Sequence, residues 1–222
     1  TWPEKYDAIA AAVAYGNPPV KEEEKALSGK LFSPGDPELA ALKRTCHNLC
    51  QRLNACVEED PQRETLFRKI VGRVGRNPRF NNPLWFNYGL HTTIGDNFFS
   101  NVNFIVQDDA PVTIGDHFQA GPNVSLVTPL HPLIAEERAG MRDAVGKTFS
   151  PCYAKPIHIG NHVWLAAGVI VCPGVTIGDG TVIAAGSVVT HDIPPHVLAG
   201  GVPCRVIREI TESDSAASLL TD

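Results

Sequence analysis

No stretch of this 222-residue chain is apolar for long enough to span a membrane, and no long basic run occurs in it. The first absence leaves no expected membrane partner. The second, with a formal net charge of −5, argues against nucleic acid or an anionic surface as the main partner. The six cysteines, Cys46, Cys50, Cys56, Cys152, Cys172 and Cys204, include no Cys-x-x-Cys pair, so neither a disulfide framework nor a bound metal is expected. Cys46 and Cys50 stand one helical turn apart and read as small core residues rather than a redox pair. Free thiols point to a reducing, cytoplasmic setting. The opening Thr1 to Tyr15 is alanine-rich, but Asp7 interrupts it and no basic stretch precedes it, so it does not read as a presequence.

What the chain has in abundance is a period of six. Ile159, Leu165, Val171, Ile177, Ile183 and Val189 form one row, and the residue after each is small in nearly every case. Four positions after each row member stand Val163, Val169, Val175, Thr181, Ser187 and Ile193, mostly β-branched residues that suit pleated, partly buried strands. The pattern starts earlier with Ile94, Ser100 and Val106, is interrupted at Asp108 to Pro111, and resumes with Ile114, Ala120 and Leu126. A six-residue period is neither helical nor the alternation of an ordinary strand; it marks a parallel β-helix of short strands.

Other patterns flank the coil. Asp36-Pro37 forms a helix start ahead of Leu39, Leu42, Cys46, Leu49, Cys50 and Leu53, and Asp60-Pro61 precedes Leu66, Phe67, Ile70, Val71 and Val74. These predict a helical cap region over 1–80 and a β-helix domain over 81–210. One excursion at 129–156 has no repeats; loops of that length are functional or disordered, and this one begins beside His131. The Ser-, Asp- and Ala-rich segment 211–222 is expected to be a disordered tail.

Ile159-Gly160-Asn161 followed by Val163-Trp164 and then Pro173-Gly174-Val175-Thr176-Ile177-Gly178-Asp179 resembles the hexapeptide-repeat acyltransferases. The likeness narrows at Asn87-Tyr88-Gly89, Asn101-Val102-Asn103, Asp108-Asp109, Gly121-Pro122-Asn123-Val124, His131-Pro132 and Gly201-Val202-Pro203-Cys204-Arg205, which look like the maltose and galactoside O-acetyltransferase branch. That resemblance implies a left-handed parallel β-helix in which three hexads make one turn, and a homotrimer with active sites between subunits. It also implies acetyl-CoA as cosubstrate and a small hydroxylated acceptor such as a sugar.

The same resemblance supplies roles. His131 matches a general base that takes the proton from the acceptor hydroxyl while it attacks the thioester directly in a ternary complex, a task a neutral imidazole suits. Asn101 matches a residue near the reacting acetyl group, and Asp36, Asn87, Asn101 and Asp109 match acceptor contacts; helix capping alone would also explain Asp36. Asn87 departs from the usual Asp or Ser. Gly121, Trp164, Ala167, Ala185, Thr190, Arg205 and Arg208 match coenzyme contacts, with His191 where a Lys is usual. Two other functions stand beside this one: a non-catalytic scaffold, and a zinc-dependent hydratase of the carbonic-anhydrase type using His117, His131 and either His158 or His162.

Overall fold

The computed structural model describes residues 21–142 and 146–220; the Ala-rich opening, Asp143 and the last two residues of the expected tail lie outside them. Three parallel sheets form the faces of a coil of about six turns, as the predicted left-handed β-helix requires. The first face holds Arg73–Val74, Thr92–Ile94, Val112–Ile114, Ile157–Ile159 and Thr176–Ile177. The second holds Arg79–Phe80, Phe99–Ser100, Gln119–Ala120, Trp164–Leu165, Val182–Ile183, Val197–Gly200 and the antiparallel edge strand Arg205–Glu209. The third holds Leu84–Phe86, Phe104–Gln107, Ser125–Val127, Ile170–Val171 and Val188–Val189.

Both sequence rows point inward. Ile159, Leu165, Val171, Ile177, Ile183 and Val189 are buried, and so are Val163, Val169, Val175, Thr181, Ser187 and Ile193. Each fully buried Val, Leu or Ile is worth about 1.5–3 kcal/mol, and because every turn stacks on the next the gain accumulates along the coil. Towards the N-terminal end phenylalanines replace the aliphatics: Phe98 stacks on Phe118 with centroids 5.6 Å apart, and Phe67 stacks on Phe80 at 4.5 Å.

The turns are of two lengths. Ile159 pairs with Ile177, eighteen residues on, as three hexads demand, but Ile94 pairs with Ile114, twenty residues on. The two additional residues fall at the third corner, between the third and first faces, where the sequence row was interrupted at Asp108 to Pro111. That corner is therefore wider than the other two, and the 129–156 excursion leaves the coil from it.

Over its described residues the excursion is an ordered arm. Pro129–Leu130 pairs antiparallel with Tyr153–Ala154 at its base, Met141–Arg142 pairs with Thr148–Phe149 further out, and a short helix spans Ala135–Ala139.

Among the described residues three helices precede the coil: α1 (Glu22–Leu27), α2 (Pro37–Asn54) and α3 (Gln62–Ile70). Asp36 caps α2, its Oδ1 accepting from the backbone N–H groups of Glu38 at 2.9 Å and Leu39 at 3.2 Å. Leu39, Cys46, Cys50 and Leu53 form the buried stripe of α2. The chain leaves α3 through Gly72, where a Cβ would stand 2.2 Å from the Leu90 carbonyl oxygen, so only glycine allows that approach. The first coil strand is Arg73–Val74, so the coil starts inside the segment predicted as cap.

The tail departs from the predicted disorder over its described part. Glu212–Asp214 and Ala217–Leu219 form 3-10 turns, the first closed by a capping box between Thr211 and Asp214 and tied to the coil through Arg208. No helix among the described residues is long and apolar enough to cross a membrane.

Candidate active site

The wide third corner gathers polar side chains that a tight corner would exclude. Asn87 Nδ2 donates to Asp109 Oδ2 at 2.9 Å. Beneath them the fully buried Asp108 accepts from the Tyr88 backbone N–H at 2.8 Å and the Thr92 hydroxyl at 2.9 Å. Thr128 links the next turn, accepting from the Ala110 N–H at 3.0 Å and donating to the Gln107 carbonyl at 2.7 Å. This lattice pairs the buried side chains of Asp108, Thr92 and Thr128 and fixes the direction of Asp109.

Asp109 is only 4% exposed. Burial pushes its carboxyl above the usual range; the Asn87 amide and the Lys43 ammonium work against that, and Asp108 adds to it. Lys43 projects from α2 over the Tyr88 ring, 5.2 Å from its centroid.

His131 stands at the base of the arm. Its Nδ1 lies 3.0 Å from the carbonyl oxygen of Pro151, just before the opposite strand. A carbonyl only accepts, so Nδ1 carries the proton and the lone pair of the neutral ring is on Nε2. The segment that supplies Pro151 is held in turn by Phe32, whose N–H donates to the Cys152 carbonyl at 2.8 Å and whose carbonyl accepts from the Cys152 N–H at 3.0 Å. Ala26, Phe32, Leu39, Tyr88 and Cys152 form one buried cluster, so the helical cap braces the arm against the corner.

Asn101 lies at the second corner, on the far side of the strand Phe104–Gln107 from Asp109. Four strand residues separate the two corners by about 13 Å. Gly121 continues that corner downward: a Cβ there would stand 2.7 Å from the Ala167 nitrogen, so the adjoining turns meet at bare backbone. Ala167 and Ala185 are exposed on the same edge, where the Gly186 N–H donates to the Ala167 carbonyl at 2.8 Å. Along the outer side of the second face, Arg79, Phe99, Gln119, Trp164, Val182, Leu198 and Arg208 fall in one register column, with Trp164 49% exposed. At the C-terminal end of the coil a cavity of about 270 Å³ is lined by His191, Asp192, Ile193, Cys204, Arg205 and Val206. Thr190 adjoins it, with its hydroxyl 2.9 Å from His191 Nδ1. An edge of small residues, one flat aromatic and cations at the end suit a long, thin ligand with an anionic terminus.

The coil of stacked hexads is the architecture of the family that comparison with known proteins identifies. A profile described as maltose acetyltransferase hexapeptide capping motif matches residues 25–75, and one described as bacterial transferase hexapeptide (six repeats) matches residues 156–191. The galactoside O-acetyltransferase of Escherichia coli (strain K12) is 42% identical over 192 residues, 86% of this chain and 90% of the relative. The chain belongs to the maltose and galactoside O-acetyltransferase branch of the hexapeptide-repeat acyltransferases. The crystal structure of a maltose O-acetyltransferase from Clostridium difficile 630 superposes with a TM-score of 0.80 at 39% identity, covering 87% of this chain and 99% of that one. A galactoside acetyltransferase in complex with coenzyme A also gives 0.80, at 41% identity, covering 88% and 94%. This member of the branch is an O-acetyltransferase that uses acetyl-CoA.

Within one chain of this acetyltransferase the sequence-derived residues fall into two groups rather than one. Asn87, Asp109 and His131 belong to the third corner and its arm. Asn101, Gly121, Trp164, Ala167, Ala185, Arg205 and Arg208 follow the second corner and second face, and Thr190 borders the end cavity. Asp36 has its Oδ1 engaged in capping α2. The alternative metal set does not assemble: His117 and His162 stack face to face at 4.6 Å on the first corner, remote from the arm that carries His131, and no described group of three is placed to hold a metal.

Five contributors escaped sequence reading. Phe99 and Gln119 lie in the Trp164 column, and the inverted pair Phe99-Ser100, with the aromatic outside and the hydroxyl inside, was a usable signal. His47 and Lys43 approach the third corner from α2. The Pro151 carbonyl leaves no trace in residue type.

Proposed function

We propose that this acetyltransferase moves acetyl from acetyl-CoA to a hydroxyl of a sugar or similar polyol, in one step within a ternary complex. His131 is the general base. The observation that carries this role is its Nδ1 contact with Pro151, which leaves Nε2 unprotonated and free to take the hydroxyl proton. Asp109 and Asn87 bind neighbouring hydroxyls, Asn101 orients the acetyl carbonyl and steadies the developing oxyanion, and the thioester carbon receives the acceptor oxygen as coenzyme A leaves.

Support for a homotrimer comes from the separation of the two residue groups. His131 and Asn101 serve one reaction only if the third corner of one chain meets the second corner and second face of the next. Gly121, Ala167, Ala185 and Trp164 then border the pantetheine arm, and Thr190, Arg205 and Arg208 meet the phosphates. Six unpaired cysteines fit a cytoplasmic setting.

Replacing His131 by Ala tests the mechanism. Turnover is expected to fall roughly 10²-fold or more while acetyl-CoA still binds, because a general base contributes about 10²- to 10⁴-fold to the chemical step. A folded variant with near-wild-type turnover on its best acceptor removes His131 from the role.

A further inference from the structure

One histidine of the third corner takes no part in the reaction as described, yet both of its ring nitrogens are engaged. His91 stands just before the strand Thr92–Ile94, which pairs with Val112–Ile114 of the next turn, and its backbone carbonyl accepts from the Val112 N–H at 3.1 Å. Its side chain is only 3% exposed. Nδ1 lies 2.7 Å from the Asp108 carbonyl oxygen, and Nε2 lies 3.0 Å from Oε1 of Glu23 on α1. The ring leans on Tyr88, with centroids 5.1 Å apart.

A backbone carbonyl and a carboxylate both only accept, so the ring that makes both contacts at once carries a proton on each nitrogen and a positive charge. That cation is set among carboxylates: Glu23 on α1, and Asp108 and Asp109 on the following turn, with the Lys43 ammonium from α2 over the neighbouring Tyr88 ring. The carbonyl it holds belongs to the peptide between Asp108 and Asp109. The peptide on the other side of Asp109 is held as well, because the Ala110 N–H donates to the Thr128 hydroxyl at 3.0 Å. Asp109 is therefore fixed at both ends of its own backbone, and its carboxylate is engaged at Oδ2 by Asn87.

We propose that His91 is a positioning residue for acceptor recognition, pinning the peptide between Asp108 and Asp109 so that Oδ1 of Asp109 stays aimed at the acceptor, with Glu23 as the clasp from the helical cap. The proposal rests on the acceptor-site reading above. Without the imidazole the Asp108 carbonyl loses this donor, and a peptide freed to rotate carries the Cα of Asp109 with it. A ring with a single proton would satisfy one oxygen and turn a lone pair to the other. Glu23 favours the second proton and so keeps both contacts together. Its side chain is 34% exposed, so water can stand in for it, whereas the ring meets the carbonyl out of reach of solvent. The two residues therefore differ in weight: His91 sets the corner, and Glu23 steadies His91.

Initial-rate kinetics on the intact acetyltransferase, with a panel of polyols and sugars as acceptors, test this. His91→Leu should raise the acceptor KM about tenfold, the loss expected for one charge-assisted hydrogen bond, while kcat and the acetyl-CoA KM stay within about twofold of the unaltered protein. His91→Asn places an amide N–H where Nδ1 stood and should restore most of the acceptor KM. His91→Gln reaches only the Nε2 position and should not. Glu23→Ala should raise the acceptor KM about threefold, and adding it to His91→Leu should cost nothing more. An acceptor KM unchanged in His91→Leu, rescue by Gln as good as by Asn, independent multiplication of the Glu23 and His91 effects, or an equal rise in the acetyl-CoA KM overturns the proposal. Should His91→Leu fail to fold, the contrast between Asn and Gln decides alone. Asp109→Asn separates the two readings: no change in acceptor kinetics there misplaces the acceptor site itself, whereas a loss there with none at His91 overturns only the role of His91.

Discussion

Asp214 grips Arg208 with both carboxylate oxygens, at 2.7 Å to one guanidinium nitrogen and 2.6 Å to the other. The cation expected to meet coenzyme phosphate thus already faces a carboxylate from its own tail. The pairing with Arg208, then the Thr211 backbone N–H, pushes the Asp214 carboxyl down to about 2. A depressed carboxyl favours the folded arrangement above its ordinary range and loses that contribution as the pH falls through the folded value. The turn should therefore stay docked on acidification until about pH 2. Carbon NMR of the Asp214 carboxyl should titrate near that value, and Arg208→Ala should return it towards about 3.9. An ordinary titration in the unaltered protein would show the pair to be absent in solution.

Asp109 carries the opposite sign. Burial raises its carboxyl, so the ionised form costs the folded state free energy at neutral pH, and that cost disappears as the pH falls through the raised value. Asp109→Asn should leave the melting temperature unchanged or a few degrees higher, while acceptor kcat/KM falls about tenfold or more. Melting curves and kinetics on the same preparation decide the matter. A lower melting temperature with unchanged kinetics would make the carboxylate structural only.

Complementation tests the site between chains. His131→Ala and Asn101→Ala should each be nearly inactive alone. Unfolded together and refolded as a mixture, they should recover about a quarter of normal activity, because a mixed trimer has one corner pairing with both residues intact. No recovery in mixed trimers shown by mass spectrometry to have formed would place both residues in one chain.

The end cavity makes a paired prediction. Arg205→Ala should weaken acetyl-CoA binding, and His191→Lys should strengthen it by restoring a fixed cation on the same wall. Isothermal calorimetry measures both, and equal affinities in all three proteins would move the phosphate subsite elsewhere.

The residues themselves determined the coil. A side chain repeated every sixth position has no other way to be buried, so Ile159, Leu165 and Val171 identify both the strands and the inward face without any long-range information. Asp36-Pro37 likewise wrote the start of α2 in local chemistry, since capping involves only the next three residues. The interruption at Asp108 to Pro111 was visible too, but only as a lapse in the period.

Tertiary structure decided what that lapse does. Two additional residues widen one corner, and width is a property of the closed turn rather than of the residues inserted. Asn87 meets Asp109 because one turn stacks on the next, and His131 receives its orientation from Pro151 because the arm folds back on itself. Lys43 reaches the same corner, over the Tyr88 ring, from a helix far earlier in the chain. Periodicity records which way a side chain faces; it carries no record of which distant side chain it will face.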